Sequence, residues 1–205
     1  AFFDKDYEKA LGYYDKAIEH ARASGVEEMV ARVRNNIGLV YSKTGRHDEA
    51  LEAFEATLDL ARRTHKYEGV SSALNNIGYL YDEMGRYEGA LKYSQEDLEL
   101  CRGAADRRDE SVALGNIASV LAAMNRHEEA LPLIREVIAM DRMIGFQPHE
   151  AYYHVQHGDS LRAVGRKAEA CAEFAEALRI AREVDFGSVQ EQAREKLQEC
   201  GTDPD

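Results

Sequence analysis

Apolar and polar residues alternate along this chain with a helical period, and the helical stretches themselves recur. From about Glu27 to Tyr41, the apolar positions Met29, Val30, Val33, Ile37, Val40 and Tyr41 fall at spacings of three and four, which place one face of a helix against a core. Thr44-Gly45-Arg46 interrupts the pattern, and Gly45 can close a helix in the left-handed conformation at little steric cost. A second helix is predicted from about His47 to Arg63, with Ala50, Leu51, Phe54, Leu58 and Ala61 on one face. The pair then repeats every forty residues. Gly38, Gly78 and Gly158 share a slot with Ala118; Gly45, Gly85 and Gly165 share one with Asn125; Ala50, Ala90, Ala130 and Ala170 share a third. A period of this length marks a solenoid, in which each repeat packs on its neighbours. The small residues in the slots of Gly38 and Ala50 stand where two helices of a hairpin must approach closely.

The repeats read as a half repeat at 1–25, full repeats at about 26–66, 67–106, 107–146 and 147–187, a capping helix at 188–200 and a tail at 201–205. Counting back forty, Ala1 takes the slot of Tyr41, so the first hairpin lacks its helix A, and a longer parent chain is expected. In the capping helix, Val189, Ala193 and Leu197 face inward, and its polar residues would solvate the end of the array.

The register Ile37-Gly38-x-x-Tyr41 followed by Ala50 and Phe54 resembles the tetratricopeptide repeat. It returns as Ile77-Gly78-x-x-Tyr81 with Ala90 and Tyr93, as Ile117-Ala118-x-x-Leu121 with Ala130 and Ile134, and as His157-Gly158-x-x-Leu161 with Ala170 and Phe174. The forty-residue unit resembles that of kinesin light chain, Pins-type adaptors and bacterial signalling proteins, and Glu129-Ala130-Leu131-Pro132-Leu133 resembles a kinesin light chain segment. The resemblance implies an all-α fold, a right-handed α-solenoid of antiparallel helix hairpins. It also implies a scaffold that binds a protein or extended peptide on the concave face lined by the A helices. Positions on that face include Asn35 and Asn36, then Asn75, Asn76, Tyr79 and Asp82, then Asn116, then Tyr152 and Arg162. Asn36, Asn76 and Asn116 recur forty apart. An amide both donates and accepts, so such a ladder can pair with a peptide backbone whatever its side chains. The Lys and Asn of the chaperone-type carboxylate clamp are replaced by Asn35, Asn75, Gly115 and Val155, and by Leu39, Tyr79, Ser119 and Asp159. A C-terminal carboxylate held in that way is not expected.

The formal net charge is −12, from 26 basic and 38 acidic residues. Nucleic acid and anionic membrane surfaces, which call for clustered Lys and Arg, are disfavoured as partners. Cys101, Cys171 and Cys200 are odd in number and widely spaced, which reads as three reduced thiols in a cytoplasmic chain. There is no phosphate-binding glycine loop and no nucleophile elbow; neither enzymatic activity nor a cofactor is expected. Two further readings stand beside the scaffold. One is homodimerisation, or docking to another domain, through the uncovered N-terminal helix and its Phe2, Phe3 and Tyr7. The other is a metal or enzyme site around His149–Asp159, where His154 and His157 replace apolar residues of earlier repeats; a buried histidine bonded to a partner is the simpler reading there.

Overall fold

The computed structural model describes residues 2–201, with side chains from residue 6 onward. The described residues form ten helices: α1 (Phe2–Ala23), α2 (Glu27–Lys43), α3 (His47–Arg63), α4 (Tyr67–Glu83), α5 (Tyr87–Ala104), α6 (Arg107–Ala123), α7 (His127–Ile144), α8 (Gln147–Ala163), α9 (Lys167–Glu183) and α10 (Gly187–Glu199). They divide into two compact units, residues 1–100 and 101–205. The fold class is the all-α array of antiparallel hairpins expected from the repeat register.

The turns between helices are two or three residues long and are built alike. Each holds one left-handed residue, at Gly25, Gly45, Gly85, Gly145 and Gly165 and equally at His65, Ala105, Asn125 and Asp185. The residue after it returns its N–H to the carbonyl five positions back, as in Arg46 to Tyr41 (2.9 Å), Lys66 to Ala61 (3.0 Å), Phe146 to Asp141 (2.8 Å) and Arg166 to Leu161 (2.8 Å). Carbonyls left open at the helix C-terminus are thereby satisfied, in the manner of a Schellman motif.

In the N-terminal unit, Ala50, Phe54, Leu58, Ala73, Leu74, Ile77 and Leu80 form one buried cluster, and Leu11, Val33, Ile37 and Val40 form another. A Cβ on Gly38 would stand 2.5 Å from the Phe54 ring, so glycine there is what lets α2 and α3 close on the ring. Opposite Gly78 the partner is Ser94 rather than an aromatic; the aromatic of that hairpin, Tyr93, stacks on Tyr81 at 5.5 Å. Tyr7 is half-buried against the second cluster, which commits to the interior one of the residues expected at a homodimer contact. The side chains of Phe2 and Phe3 lie outside the described residues.

In the C-terminal unit the core runs through Leu161, Phe174, Leu178, Ile180, Val189, Ala193 and Leu197, and the Phe174 ring occupies the space a Cβ on Gly158 would need. Two equivalent charge pairs close its repeat joints. Arg102 reaches the buried Glu110 at 2.9 Å, and Arg142 reaches the buried Glu150 at 2.9 Å, each pair forty residues from the other. In the next such slot, Gln190 donates to the Ala181 carbonyl at 3.0 Å. Cys101 is buried and outside any disulfide, but Cys171 and Cys200 are joined by one. This overturns the reading of three reduced thiols. The two cysteines are 29 positions apart in sequence, and they meet because α10 folds back along α9.

The histidines near position 150 are engaged separately. His149 Nδ1 lies 2.6 Å from Asp141, whereas His154 and His157 both approach Glu173, at 2.6 and 3.1 Å. No cluster of three or more His, Cys, Asp or Glu among the described residues is arranged to hold a metal. Burial alone would push the Glu173 carboxyl up, but hydrogen bonds and charge from His154 and His157 outweigh it and hold the group at about 2. A depressed carboxylate contributes stability that is present above its unfolded value near 4.5 and is lost as pH falls toward about 2. Wild type is therefore expected to be more stable than Glu173→Gln at neutral pH, with the gap narrowing between about pH 4.5 and pH 2. Denaturant melts of both across that range check this, and a pH-independent gap would contradict it. Glu150, Glu169, Glu176 and Arg142 surround the same cluster, so the comparison is read against the Gln variant at each pH.

Candidate functional site

In the N-terminal unit the A helices α2 and α4 lie side by side, and their outward positions form one face. Asn76 donates from Nδ2 to Oδ1 of Asn35 at 2.8 Å, and Ser42 donates to Glu83 at 3.1 Å. These bonds span 41 residues and tie the two helices together. Asn36 is exposed, Asn75 is half-buried, and Leu39 and Tyr79 stand out at 39 and 55% exposure. Asp82 is half-buried, and burial followed by the charge of Glu83 raises its carboxyl above the ordinary value. The predicted ladder is thus partly spent within the protein: Asn35 and Asn76 pair with each other, leaving Asn36 presented to solvent.

Between α2 and α4, over the end of α3, a groove of about 300 Å³ opens. Its walls carry Arg32, Asn35, Asn36 and Ser72, and its floor is made of Ala31, Ala61 and Gly69. The floor is low because these side chains are small; a Cβ on Gly69 would already stand 3.0 Å from that of Ala61. Lys66 and Glu28 at one end pair at 3.4 Å. Thr57, also in the lining, donates to the Ala53 carbonyl of its own helix at 2.9 Å. Arg32 is exposed and makes no ion pair among the described residues.

The C-terminal unit has the same slots eighty residues later, and there they are filled. Gly69 becomes His149, Ala61 becomes Asp141 and Ala31 becomes Ser111. Asp141 is fully buried, accepts from Ser111 Oγ at 2.5 Å and meets His149 at 2.6 Å. His149 stacks on Phe146 at 4.8 Å and tilts against Tyr153 at 4.6 Å. Tyr153 enters the space beside Gly115, its hydroxyl 3.4 Å from Ser119 Oγ, and burial raises its phenol well above the ordinary range. Arg108 covers Phe146 at 4.2 Å. Tyr152, a predicted site residue, is half-buried edge-on to Tyr153 at 5.1 Å. Arg162, another, pairs with Asp159 at 3.0 Å and with Glu199 of α10. Asn116 is half-buried. Of the residues that decide between an open and a filled groove, Gly69 was not singled out in the sequence, and His149 was named only for a metal or enzyme site. The signal was present as a change of residue size within one register slot.

Known proteins resemble this chain in sequence pattern and in shape. One model of the tetratricopeptide repeat matches residues 1–63, 29–102 and 69–143, and a second model of that repeat matches residues 116–184. No protein of curated function matches. Among solved structures, BtubC (BKLC) from P. vanneervenii superposes with a TM-score of 0.77 at 15% identity, covering 95% of this chain and 87% of that one. The Rap conjugation gene regulator of plasmid pLS20, in complex with a Phr peptide, superposes at 0.76 and 19% identity over 94% of this chain, which spans 53% of the regulator. PlcR of Bacillus thuringiensis, in complex with the peptide PapR7 and DNA, gives 0.72 and 15% over 92% of this chain and 68% of PlcR. At these identities the likeness speaks to the fold, and no described helix is long and apolar enough to cross a membrane. The repeat models together cover residues 1–184, nearly the whole chain, and the chain therefore belongs to the tetratricopeptide repeat family.

Proposed function

We propose that this chain is a protein-interaction scaffold that takes an extended peptide segment in the groove between α2 and α4. The observation that carries this reading is the groove itself: Arg32, Asn35, Asn36 and Ser72 line an open channel, where the equivalent slots of the other unit are closed by His149 and Tyr153. Asn36 supplies a donor and an acceptor for a peptide backbone. Arg32 offers a guanidinium to a carbonyl or an acidic side chain. Leu39 and Tyr79 offer apolar contact beside them. The Rap and PlcR structures were each determined in complex with a peptide, which supports a peptide as the ligand here. On this reading the protein acts by binding rather than catalysis, in the cytoplasm, with a protein as its partner. Nucleic acid is disfavoured by the acidic balance of the chain.

The test begins with peptides selected from a random display library on the immobilised wild-type chain. Asn36→Ala is expected to weaken a selected peptide about five- to ten-fold, the loss of roughly one hydrogen-bonded contact. The melting temperature should hold, because Asn36 is exposed. Unchanged affinity in both Asn36→Ala and Arg32→Ala would refute the placement of the peptide in this groove.

A further inference from the structure

The Cys171–Cys200 disulfide joins the second turn of α9 to the C-terminal cap of α10, with Cα atoms 6.0 Å apart. Unlike Cys101, which is fully buried, both bonded cysteines are partly exposed. They open onto a cleft of about 250 Å³ whose other lining residues are Arg162, Lys167, Ala170 and Glu199. Glu199 pairs with Arg162. Lys167, exposed and one helical turn before Cys171, has no ion pair among the described residues, so the cleft retains an uncompensated cation beside the sulfurs. The two sulfurs differ electrostatically. A thiolate at Cys171 would face Lys167, whereas one at Cys200 would sit at a helix C-terminus, where the dipole is negative.

We propose that this bond is a reversible thiol-exchange site, open in the folded protein to a low-molecular-weight thiol that carries carboxylates. The cation of Lys167 attracts the anionic thiol into the cleft. Its thiolate attacks Sγ of Cys200; the Cys171–Cys200 bond breaks, a mixed disulfide forms on Cys200, and Cys171 leaves as the thiolate stabilised by Lys167. A second thiol molecule attacks the outer sulfur of the adduct, which releases Cys200. Two protein thiols and one small-molecule disulfide result, the two electrons having come from the two small thiols. Reduction unfastens the end of α10 without removing its other anchors: Val189, Ala193 and Leu197 remain buried, and Lys196 remains 2.6 Å from Asp159. A bond that turns over with small thiols also accords with a reducing compartment, where fixed disulfides are rare.

The test treats the native protein with reduced glutathione, quenches with an alkylating agent and maps the adducts by mass spectrometry. Expected are native-state reduction, a glutathione adduct trapped on Cys200, and no labelling of Cys101. Lys167→Glu should slow reduction by glutathione about ten-fold while leaving the rate with uncharged 2-mercaptoethanol nearly unchanged. Reduction only after denaturation, an adduct on Cys171, or a rate with glutathione indifferent to Lys167→Glu would each overturn the proposal. Cys200→Ser supplies the unfastened reference and should keep its helical circular dichroism; loss of the fold in that variant would show the bond to be a structural staple and overturn the exchange role.

Discussion

Phe174→Ala is expected to remove about 3–5 kcal/mol from the stability of the C-terminal unit, the usual cost of emptying a buried aromatic site. The ring has no solvent exposure and touches the cluster shared by α8, α9 and α10. It also lies under Arg162 and Lys196, at 5.8 and 5.6 Å from its centroid. Collapse into the space is hindered because the facing residue is Gly158, which has no side chain to move inward. Repeat arrays unfold by local units rather than as one block. Guanidinium melts should therefore show the transition of residues 101–205 moving to lower denaturant and separating from that of residues 1–100. A loss below about 1 kcal/mol would mean that the ring is not the keystone of this core.

The second large effect concerns binding. Gly69→Tyr is expected to weaken groove-selected peptides by about thirty-fold or more, roughly 2 kcal/mol, because the new side chain would occupy the floor between α2 and α4. His149 already does this in the equivalent slot of the C-terminal unit. Stability should change little: replacing glycine within a helix is favourable by up to about 1 kcal/mol, and crowding against Ala61 at 3.0 Å offsets it. Titration of the same peptide into wild type and variant, with melts run in parallel, separates loss of the groove from loss of the fold. Full affinity in a folded Gly69→Tyr protein would place the peptide elsewhere.

The hairpins were legible because one register fixed several kinds of residue at once. Gly38 and Phe54 must agree in size, and Gly45 must adopt a conformation that few residues accept. The same turn geometry at His65, Ala105 and Asp185 was not legible, since those residue types do not advertise a positive φ; there the packing of the flanking helices imposes it. The site was legible only as a set of faces. Periodicity put Asn35, Asn36, Asn75 and Asn76 on one side of α2 and α4. It could not show that Asn35 and Asn76 consume each other across 41 residues. Nor could it show that one unit is open and the other filled. That difference depends on whether a side chain at the slot of Gly69 and His149 finds a buried partner, and the partner, Asp141, sits on another helix. The disulfide was missed for a related reason: Cys171 and Cys200 are brought together only by the return of α10 along α9.

The most direct measurement is an isotope-filtered NMR experiment on the wild-type chain bound to a library-selected peptide. Intermolecular contacts from the peptide to the Asn36 side-chain amide, to Leu39 and to the Tyr79 ring are expected. Contacts confined to Tyr152 and Arg162, or to α1 around Tyr13, with none at Asn36, would contradict the assignment of the α2–α4 groove as the binding site.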